Sequence, residues 1–318
     1  MKVALIIGVS GQDGSYLSKY LLTKKNYKII GTTRFKKKKL IENHVLLGIE
    51  KKIEVVKLNY TKKKNVEKII SKHKPTEIYF LSNVTTIKES IDNIYNTINS
   101  SVIGTLNILD VVKENKLNNN IRLFFAGSCE CFGGYSDKNI KISENNNFKP
   151  INPYAIAKVA SYNLVKFYRQ EFNLKCCTGI LSNHESKLRR NNYVTKKITN
   201  FLKNYKNNNN KKLLLGNLNI ERDWGWAPEY VKVFHKILNS NKIDDYIIAT
   251  GKSVKLKIFL DYAFKKINLN WKDYVKVDKN NIRKKDRFSS NFNVTKIYRS
   301  IGWKAKYDYK RIIDEMLK

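Results

Sequence analysis

The chain reads as an α/β protein, a Rossmann-like doubly wound parallel sheet followed by a smaller C-terminal α/β lobe that binds substrate. Three observations point there. Short apolar runs alternate with segments of helical period through the first half. A glycine-rich turn, Gly8-Val9-Ser10-Gly11-Gln12-Asp13-Gly14, joins the first apolar run to the first helical segment. Tyr154 and Lys158 stand one helical turn apart just after a Pro-containing loop.

Taken in order, Val3–Ile7 is strand-length and apolar, and Tyr16, Leu17, Tyr20 and Leu21 then repeat with helical period. Strands are predicted at Lys28–Thr32, Ile53–Leu58 and Glu77–Leu81, with a helix marked by Val66, Ile69 and Ile70 between the last two. A long helix is predicted from about Asn96 to Glu114, then a fifth strand at Arg122–Ala126. Pro150 and Pro153 break the chain before a helix from Tyr154 to Phe172, whose small residues Ala157, Ala160 and Ser161 suit close packing. Cys176–Leu181 is a sixth strand. Such alternation implies right-handed βαβ units with helices on both faces of the sheet. Beyond it the pattern loosens into a helix at Tyr193–Tyr205, a strand at Lys212–Leu215, a helix at Ala227–Leu238, a strand at Tyr246–Thr250 and a last helix at Tyr309–Leu317. Two domains are expected, residues 1–181 for a dinucleotide and residues 182–318 for the substrate, with chain able to cross between them.

At 318 residues and 42% hydrophobic the chain is long and apolar enough for a sizeable core. No apolar run reaches the length needed to span a bilayer, and the N-terminal segment lacks a signal-peptide pattern, so the cytosol is the expected compartment. Cys129, Cys131, Cys176 and Cys177 show no zinc spacing, so no metal is expected, and they read as buried thiols. The net charge of +35 is mostly lysine spread along the whole chain, accompanied by Asn-rich stretches at 118–120 and 207–210. That pattern reads as drift in composition rather than as a nucleic-acid face, although a basic surface draws in anionic substrates. The densest basic run is Lys36–Lys39.

The glycine turn suits a pyrophosphate at a helix N-terminus, and Gly8, Ser10, Gly11, Gln12, Asp13 and Gly14 are the candidate cofactor contacts. The second strand ends in Thr32-Thr33-Arg34. A carboxylate there would bind the ribose hydroxyls of NAD and repel a 2′-phosphate, whereas Arg34 accommodates the phosphate and points to NADP. At the front of its helix, Lys158 lowers the phenol of Tyr154 from its ordinary value of about 10, so that it can act as a base. Ser128 can hydrogen-bond the same substrate oxygen. Glu130, two residues on, adds a second acid/base that a simple alcohol dehydrogenase does not need, and partial burial would suit that double role.

Glycine turn, Ser128 and the Tyr154/Lys158 pair together resemble the extended short-chain dehydrogenase/reductases. Further segments occur in order: Ser128-Cys129-Glu130-Cys131-Phe132-Gly133, Asn152-Pro153-Tyr154-Ala155, Asn183-His184-Glu185-Ser186, Val194-Thr195-Lys196-Lys197-Ile198, Arg222-Asp223-Trp224-Gly225, Ala249-Thr250-Gly251 and Ile301-Gly302-Trp303-Lys304. With these the chain is similar, end to end, to the GDP-mannose 4,6-dehydratase family.

The resemblance implies dehydration of GDP-mannose to GDP-4-dehydro-6-deoxy-mannose, with NADP recycled within each turnover, in deoxysugar nucleotide synthesis. Tyr154 would take the C4 hydroxyl proton as hydride leaves C4, Glu130 would remove the C5 proton and protonate the departing C6 hydroxyl, and hydride would return to C6. Asn59, His184 and Arg189 would serve the cofactor, and Asn183, Lys197, Arg222 and Arg283 the GDP moiety. A homodimer through the Tyr154 helix, or a homotetramer, is implied. The family pattern is altered at Asn59-Tyr60 (Asp-Leu), Ser82-Asn83-Val84 (Ala-Ala-Gln), Lys187-Leu188-Arg189-Arg190 (Pro-Arg-Arg-Gly), Trp226 (His) and Ser128 (Thr), and the stretch between Arg34 and Ile53 is short. The alternatives are a 4,6-dehydratase of another GDP-sugar such as a GDP-heptose, a nucleotide-sugar 4-reductase or epimerase, and a basic binding protein without turnover.

Overall fold

The computed structural model describes residues 1–34, 41–114, 121–135, 137, 139–205, 212–279, 282 and 290–318. The lysine run at 36–39, both Asn-rich stretches and Arg283 lie outside the described residues. The chain divides into two compact units. One comprises Met1–Phe132, Asn147–Leu181 and Val231–Tyr246, the other Gly133–Asn146, Ser182–Tyr230 and Ile247–Lys318.

The first unit is built on parallel strands β1 (Lys2–Ile7), β2 (Tyr27–Thr33), β3 (Glu54–Lys57), β4 (Glu77–Phe80), β5 (Arg122–Ala126) and β6 (Lys175–Leu181). With β10 (Tyr246–Ile248) they form a seven-stranded sheet in the order β10-β6-β5-β4-β1-β2-β3. The order reverses between β1 and β4, the position at which open α/β sheets bind ligands beyond the carboxyl ends of their strands. Helices α1 (Gln12–Leu22), α2 (Glu42–Leu47), α3 (Lys63–His73), α4 (Ile87–Asp92), α5 (Ile94–Ile98), α6 (Gly104–Glu114) and α7 (Pro153–Glu171) connect them, and α9 (Ala227–Leu238) places most of its length in this unit. Leu5, Ile7, Ile30, Ile78, Phe80, Leu123 and Phe125 from the strands pack with Val66, Ile70, Ile108 and Val112 from the helices into one buried cluster.

The sequence predicts one helix over 96–114. The structure interposes a π-helical turn, Asn99–Ile103, between α5 and α6. Polar groups inside the packing surface accompany it: Ser101 Oγ meets Ser161 Oγ of α7 at 3.0 Å, and Thr105 Oγ1 donates to the Ser101 carbonyl at 2.6 Å. Gly104 follows because Tyr60 fills its space; a Cβ there would stand 2.7 Å from the ring.

At the amino ends of the strands Glu77, 1% exposed, accepts from Tyr79 OH at 2.7 Å, Tyr27 OH at 2.8 Å and Lys2 Nζ at 3.1 Å. His235 Nε2 lies 3.0 Å from Tyr27 OH. Burial alone would raise the Glu77 carboxyl, but the three hydrogen bonds outweigh it and hold the group below its ordinary value.

The second unit holds a three-stranded sheet in the order β11 (Ser253–Lys255), β9 (Glu221–Trp226), β7 (Asn183–Glu185), and a two-stranded one of β8 (Leu213–Leu215) and β12 (Val275–Val277). Around them lie α8 (Val194–Lys203), α10 (Leu256–Lys265), α11 (Thr295–Ile301) and α12 (Tyr309–Leu317). Ile198, Phe201 and Leu202 of α8 join Phe259, Leu260 and Phe264 of α10 and Ile313 of α12 in its core. Trp226, where the family has histidine, stacks on Tyr307 at 5.5 Å and is buried with Ile312 and Met316. Among the described residues no helix is long and apolar enough to cross a membrane.

Candidate active site

The glycine turn follows β1 and opens α1. Gly8 has φ +97°, and a Cβ there would stand 2.9 Å from the Ser82 amide nitrogen at the end of β4. A Cβ on Gly14 would stand 2.4 Å from the Gly8 carbonyl oxygen, so helix and turn touch at backbone level. Ser15 Oγ donates to the Val9 carbonyl at 3.1 Å and pins the turn from within. From outside, α2 braces it: His44 Nε2 sits 3.0 Å from the Val9 carbonyl, and Asn43 Nδ2 donates to the Ser10 carbonyl at 2.9 Å. Burial pushes the His44 imidazole below its ordinary value, which keeps it neutral with the proton on Nε2. Gly11, the N-cap of α1, has no side chain to cap the helix, and its small size lets an anion approach the helix N-terminus. Asp13 lies in that first turn, and Gln12 Nε2 donates to its Oδ1 at 3.2 Å. A turn without room for side chains at Gly8 and Gly14, leading into a helix N-terminus at the sheet's switch point, fits the pyrophosphate of a dinucleotide.

Arg34 is exposed directly after β2. Asn59 is exposed after β3, and its Oδ1 accepts from Thr61 N at 3.2 Å and Thr61 Oγ1 at 2.8 Å, so that oxygen closes a local turn. Tyr60 and Ser82, two departures from the family pattern, meet: Ser82 Oγ donates to Tyr60 OH at 3.3 Å.

Ser128, Glu130, Tyr154 and Lys158 all belong to the first unit. Ser128 is buried at the end of β5, where the preceding Gly127 N donates to the Gly179 carbonyl of β6 at 2.8 Å. The chain then makes a 3-10 turn, Cys129–Phe132. Cys129, Cys131 and Phe132 point inward while Glu130 stays partly exposed. Cys129 Sγ donates to the Ile180 carbonyl at 3.4 Å and Cys131 Sγ to the Ala155 carbonyl at 3.9 Å, holding the turn between β6 and α7. Glu130 N donates to Ser128 Oγ at 3.2 Å, which leaves the serine hydroxyl hydrogen for another acceptor. The motif Asn152-Pro153-Tyr154-Ala155 explains the start of α7: Asn152 Oδ1 accepts from Ala155 N at 2.8 Å, and Pro153 fills the first turn, where no N–H is needed. Tyr154 thus stands in the first turn and Lys158 one turn later. The Lys158 ammonium lies 5.8 Å from the centre of the Tyr154 ring and 4.8 Å from that of Phe125, and it donates to the Ala126 carbonyl at 2.6 Å. Burial pushes its pKa down to about 8, while Cys131 and Asp13 act the other way. The same burial pushes the Cys131 thiol up to about 12, so it is inert at neutral pH. A phenol beside a buried cation, a hydroxyl with a hydrogen to give and a carboxylate on a rigid turn can together move protons at adjacent carbon atoms.

In the second unit the two most specific motifs are neighbouring strands. β7 and β9 run parallel with Asn183 opposite Trp224, His184 opposite Gly225 and Glu185 opposite Trp226. His184 is buried with Nδ1 2.7 Å from the Ser182 carbonyl, so Nδ1 carries the proton, and its ring lies 5.0 Å from that of Tyr230. Gly225 is required because Tyr230 OH lies 2.2 Å from where a Cβ would be. Arg189 Nε pairs with Glu185 Oε2 at 3.1 Å, and its guanidinium covers the Tyr193 ring at 3.6 Å. Arg222 is buried on β9, its Nη1 donating to the Glu221 carbonyl at 2.9 Å. Lys197 is half-buried on α8.

Two residues in this unit carry weight that the motifs alone do not reveal. Asp223 is fully buried, and its carboxylate accepts from Thr250 N at 2.9 Å, Gly251 N at 2.8 Å, Lys252 N at 3.2 Å and Ser182 Oγ at 3.0 Å. Ser182 Oγ also meets Tyr230 OH at 2.8 Å, so one carboxylate organises the ring behind His184 and the loop after β10. Glu185, also buried, accepts from Thr195 Oγ1 at 2.5 Å and is ion-paired with Arg189. Buried acids inside charged motifs are a signal of this kind, since a carboxylate enters a core only with partners.

A model of the family described as GDP-mannose 4,6 dehydratase matches residues 5–316. "GDP-mannose 4,6 dehydratase 1" of Arabidopsis thaliana is 34% identical over 328 residues, covering 99% of this chain and 89% of the relative. Among solved structures, dTDP-glucose 4,6-dehydratase from Bacillus anthracis in complex with NAD superposes with a TM-score of 0.85 at 19% identity, covering 100% of this chain and 96% of that one. RMD from Pseudomonas aeruginosa complexed with NADPH does so with a TM-score of 0.81 at 15% identity, covering 100% and 98%. The structural likenesses establish the fold, and the match across nearly the whole sequence establishes more: the chain belongs to the GDP-mannose 4,6-dehydratase family.

Proposed function

We propose that the chain dehydrates GDP-mannose to GDP-4-dehydro-6-deoxy-mannose. The observation that carries this reading is Glu130 on its clamped turn, two residues from Ser128 and in the same unit as the Tyr154/Lys158 pair. A 4-reductase or epimerase needs the pair and has no use for the second carboxylate. Tyr154, with Lys158 behind it, takes the C4 hydroxyl proton, and Ser128 donates to the same oxygen. The resulting ketone acidifies C5, Glu130 removes the C5 proton and passes it to the departing C6 hydroxyl, and water leaves. Gly8–Gly14 would hold a nicotinamide dinucleotide, which would supply a hydride acceptor for C4 and a donor for C6, while the proton taken up by Tyr154 balances the one that C5 regains, so that no cofactor would be consumed.

NADP is the proposed form, because β2 ends in Thr32-Thr33-Arg34 without a carboxylate to repel a 2′-phosphate. Ser10, Gln12, Asp13 and Asn59 belong to the same cofactor set, with His184 and Arg189, and Asn183, Lys197, Arg222 and Arg283 are assigned to the GDP group. The diphosphate calls for cations and amides of this kind. The four thiols are free and buried, which suits a reducing compartment, and the reaction is placed in the cytosol. A homodimer through α7 is proposed from an apolar face on the first unit: Ile156 and Phe167 on α7 are 49% and 50% exposed, and Ile94 and Tyr95 on α5 are 53% and 81% exposed. Incubation of the full chain with GDP-mannose and NADP, followed by mass spectrometry, should show loss of one water from the sugar nucleotide. Turnover of a different nucleotide sugar with GDP-mannose left intact would overturn the substrate assignment.

A further inference from the structure

The end of β4 carries a polar group that the fold does not use. β4 is buried along its length, and Leu81 N still bonds to the Ile7 carbonyl of β1 at 2.9 Å. Ser82 comes next, packed against Gly8 of the glycine turn with its hydroxyl on Tyr60. Asn83 follows. Both polar atoms of its side chain, Oδ1 and Nδ2, are buried, and neither has a hydrogen-bond partner among the described residues. Burying an amide with both ends unpaired is costly, and folded proteins rarely do it without a reason.

The pair of orphaned atoms restricts what satisfies them. Nδ2 needs an acceptor and Oδ1 needs a donor. A phosphate oxygen answers only the first. A sugar hydroxyl answers both, because it accepts and donates at once. Asn83 follows directly on the residue that touches the glycine turn, so the group that satisfies it belongs to whatever that turn holds. We propose that Asn83 is a cofactor-recognition residue whose carboxamide binds a ribose hydroxyl of the nicotinamide dinucleotide. This rests on the cofactor reading above and adds a contact peculiar to this chain, since the family pattern has alanine at this position. The change is coordinated with its neighbours: Ser82 and Tyr60 also replace family residues and pair with each other, so the end of β4 is more polar here than the pattern requires.

The test uses Asn83→Ala, which restores the family residue, with Asn83→Ser as a variant that keeps a donor and an acceptor on a shorter side chain. Affinity for NADPH is measured by fluorescence titration of the full chain freed of nucleotide, and melting temperature is measured with and without NADPH. The expected result is a Kd raised about ten-fold in the alanine variant, roughly one hydrogen bond to a neutral group, with partial recovery in the serine variant. The nucleotide-free alanine variant should melt at or above the wild-type temperature, because the unsatisfied amide has gone. Unchanged affinity in a wild type that binds NADPH would overturn the inference and leave the cofactor reading standing. A nucleotide-free variant that melts lower or fails to fold would assign the amide to the fold and overturn it as well. Wild type that binds neither NADPH nor NADH would remove the cofactor reading and this inference with it.

Discussion

Lys158 Nζ donates to the Ala126 carbonyl at 2.6 Å, tying the helix that carries Tyr154 to the end of the strand that leads into Ser128. The ammonium is buried and its pKa stands at about 8, against 10.5 for a free lysine. Between those values the unfolded chain holds more protons than the folded one, so stability should rise with pH across that window and not below it. The full shift corresponds to roughly 3 kcal/mol. Comparing denaturation of wild type with Lys158→Met from pH 7 to 10 isolates this effect from the many exposed lysines. The difference between the two should narrow as pH rises. Activity should fall above about pH 8 as the cation is lost, and a pH–rate profile whose basic limb is unmoved in Lys158→Arg would reject that assignment.

Glu130→Gln keeps the shape of the turn and removes the carboxylate. Dehydration should drop by about 10²–10⁴-fold. The Tyr154/Lys158 pair is untouched, so loss of deuterium from C4-labelled substrate should persist as a partial reaction. Wild-type rates of water loss in this variant would sink the assignment of the second acid/base.

Asp223→Asn puts an amide against N–H groups that now face a carboxylate oxygen. One or more of the Thr250, Gly251 and Lys252 bonds must be lost. The expected cost is about 1–3 kcal/mol in chemical denaturation, the penalty for stranding buried donors. Arg222 lies next to Asp223 on β9, so KM for the GDP-sugar should rise more than kcat falls. Equal losses in both with unchanged stability would argue against a positioning role.

The Glu77 cluster predicts a stability effect far from the chemistry. Its carboxyl is held below the ordinary value, so the stability it contributes is present above the unfolded-state pKa and is lost as pH falls through the folded one. Glu77→Ala strands Tyr27, Tyr79 and Lys2 and should cost on the order of 3 kcal/mol, as removal of one partner from a buried polar network does. Urea denaturation at pH 7 and pH 4 checks it: the gap between wild type and variant should shrink at the lower pH, and KM should not move at either.

The apolar face on α5 and α7 predicts an oligomer that charge should break. Tyr95→Asp combined with Ile156→Asp should convert a dimer to a monomer in light scattering after size exclusion. A wild-type chain that is monomeric at micromolar concentration would remove the proposal.

Much of this was legible in the sequence because it is local. The glycine turn, the Asn152 cap with Pro153 behind it and the alternation of β1 to β6 depend on residues within a few positions of one another. Strands β7, β9 and β11, of three, six and three residues, were not legible, because strands this short depend on their partners, and those lie tens of residues away. Asp223 shows the same limit: its motif marks it as charged, yet its burial follows from Ser182 and Thr250–Lys252 folding around it. α2 was missed because a six-residue helix in a charged stretch has little periodicity, and only its His44 bond to Val9 reveals why it sits there. Trp226 departs from the family pattern and is a core residue, as its stacking on Tyr307 makes plain.

The parallel pairing of β7 with β9 also limits how this site is able to change over time. His184 stands opposite Gly225, and side chains alternate faces along both strands. Adding or deleting one residue in either strand would turn every following side chain to the wrong side. Asn183–Glu185 and Arg222–Gly225 are therefore free to diverge by substitution but not by length. Insertions must be absorbed elsewhere, and a lineage's history of gaining and losing residues will be written in its loops, never in this pair of strands.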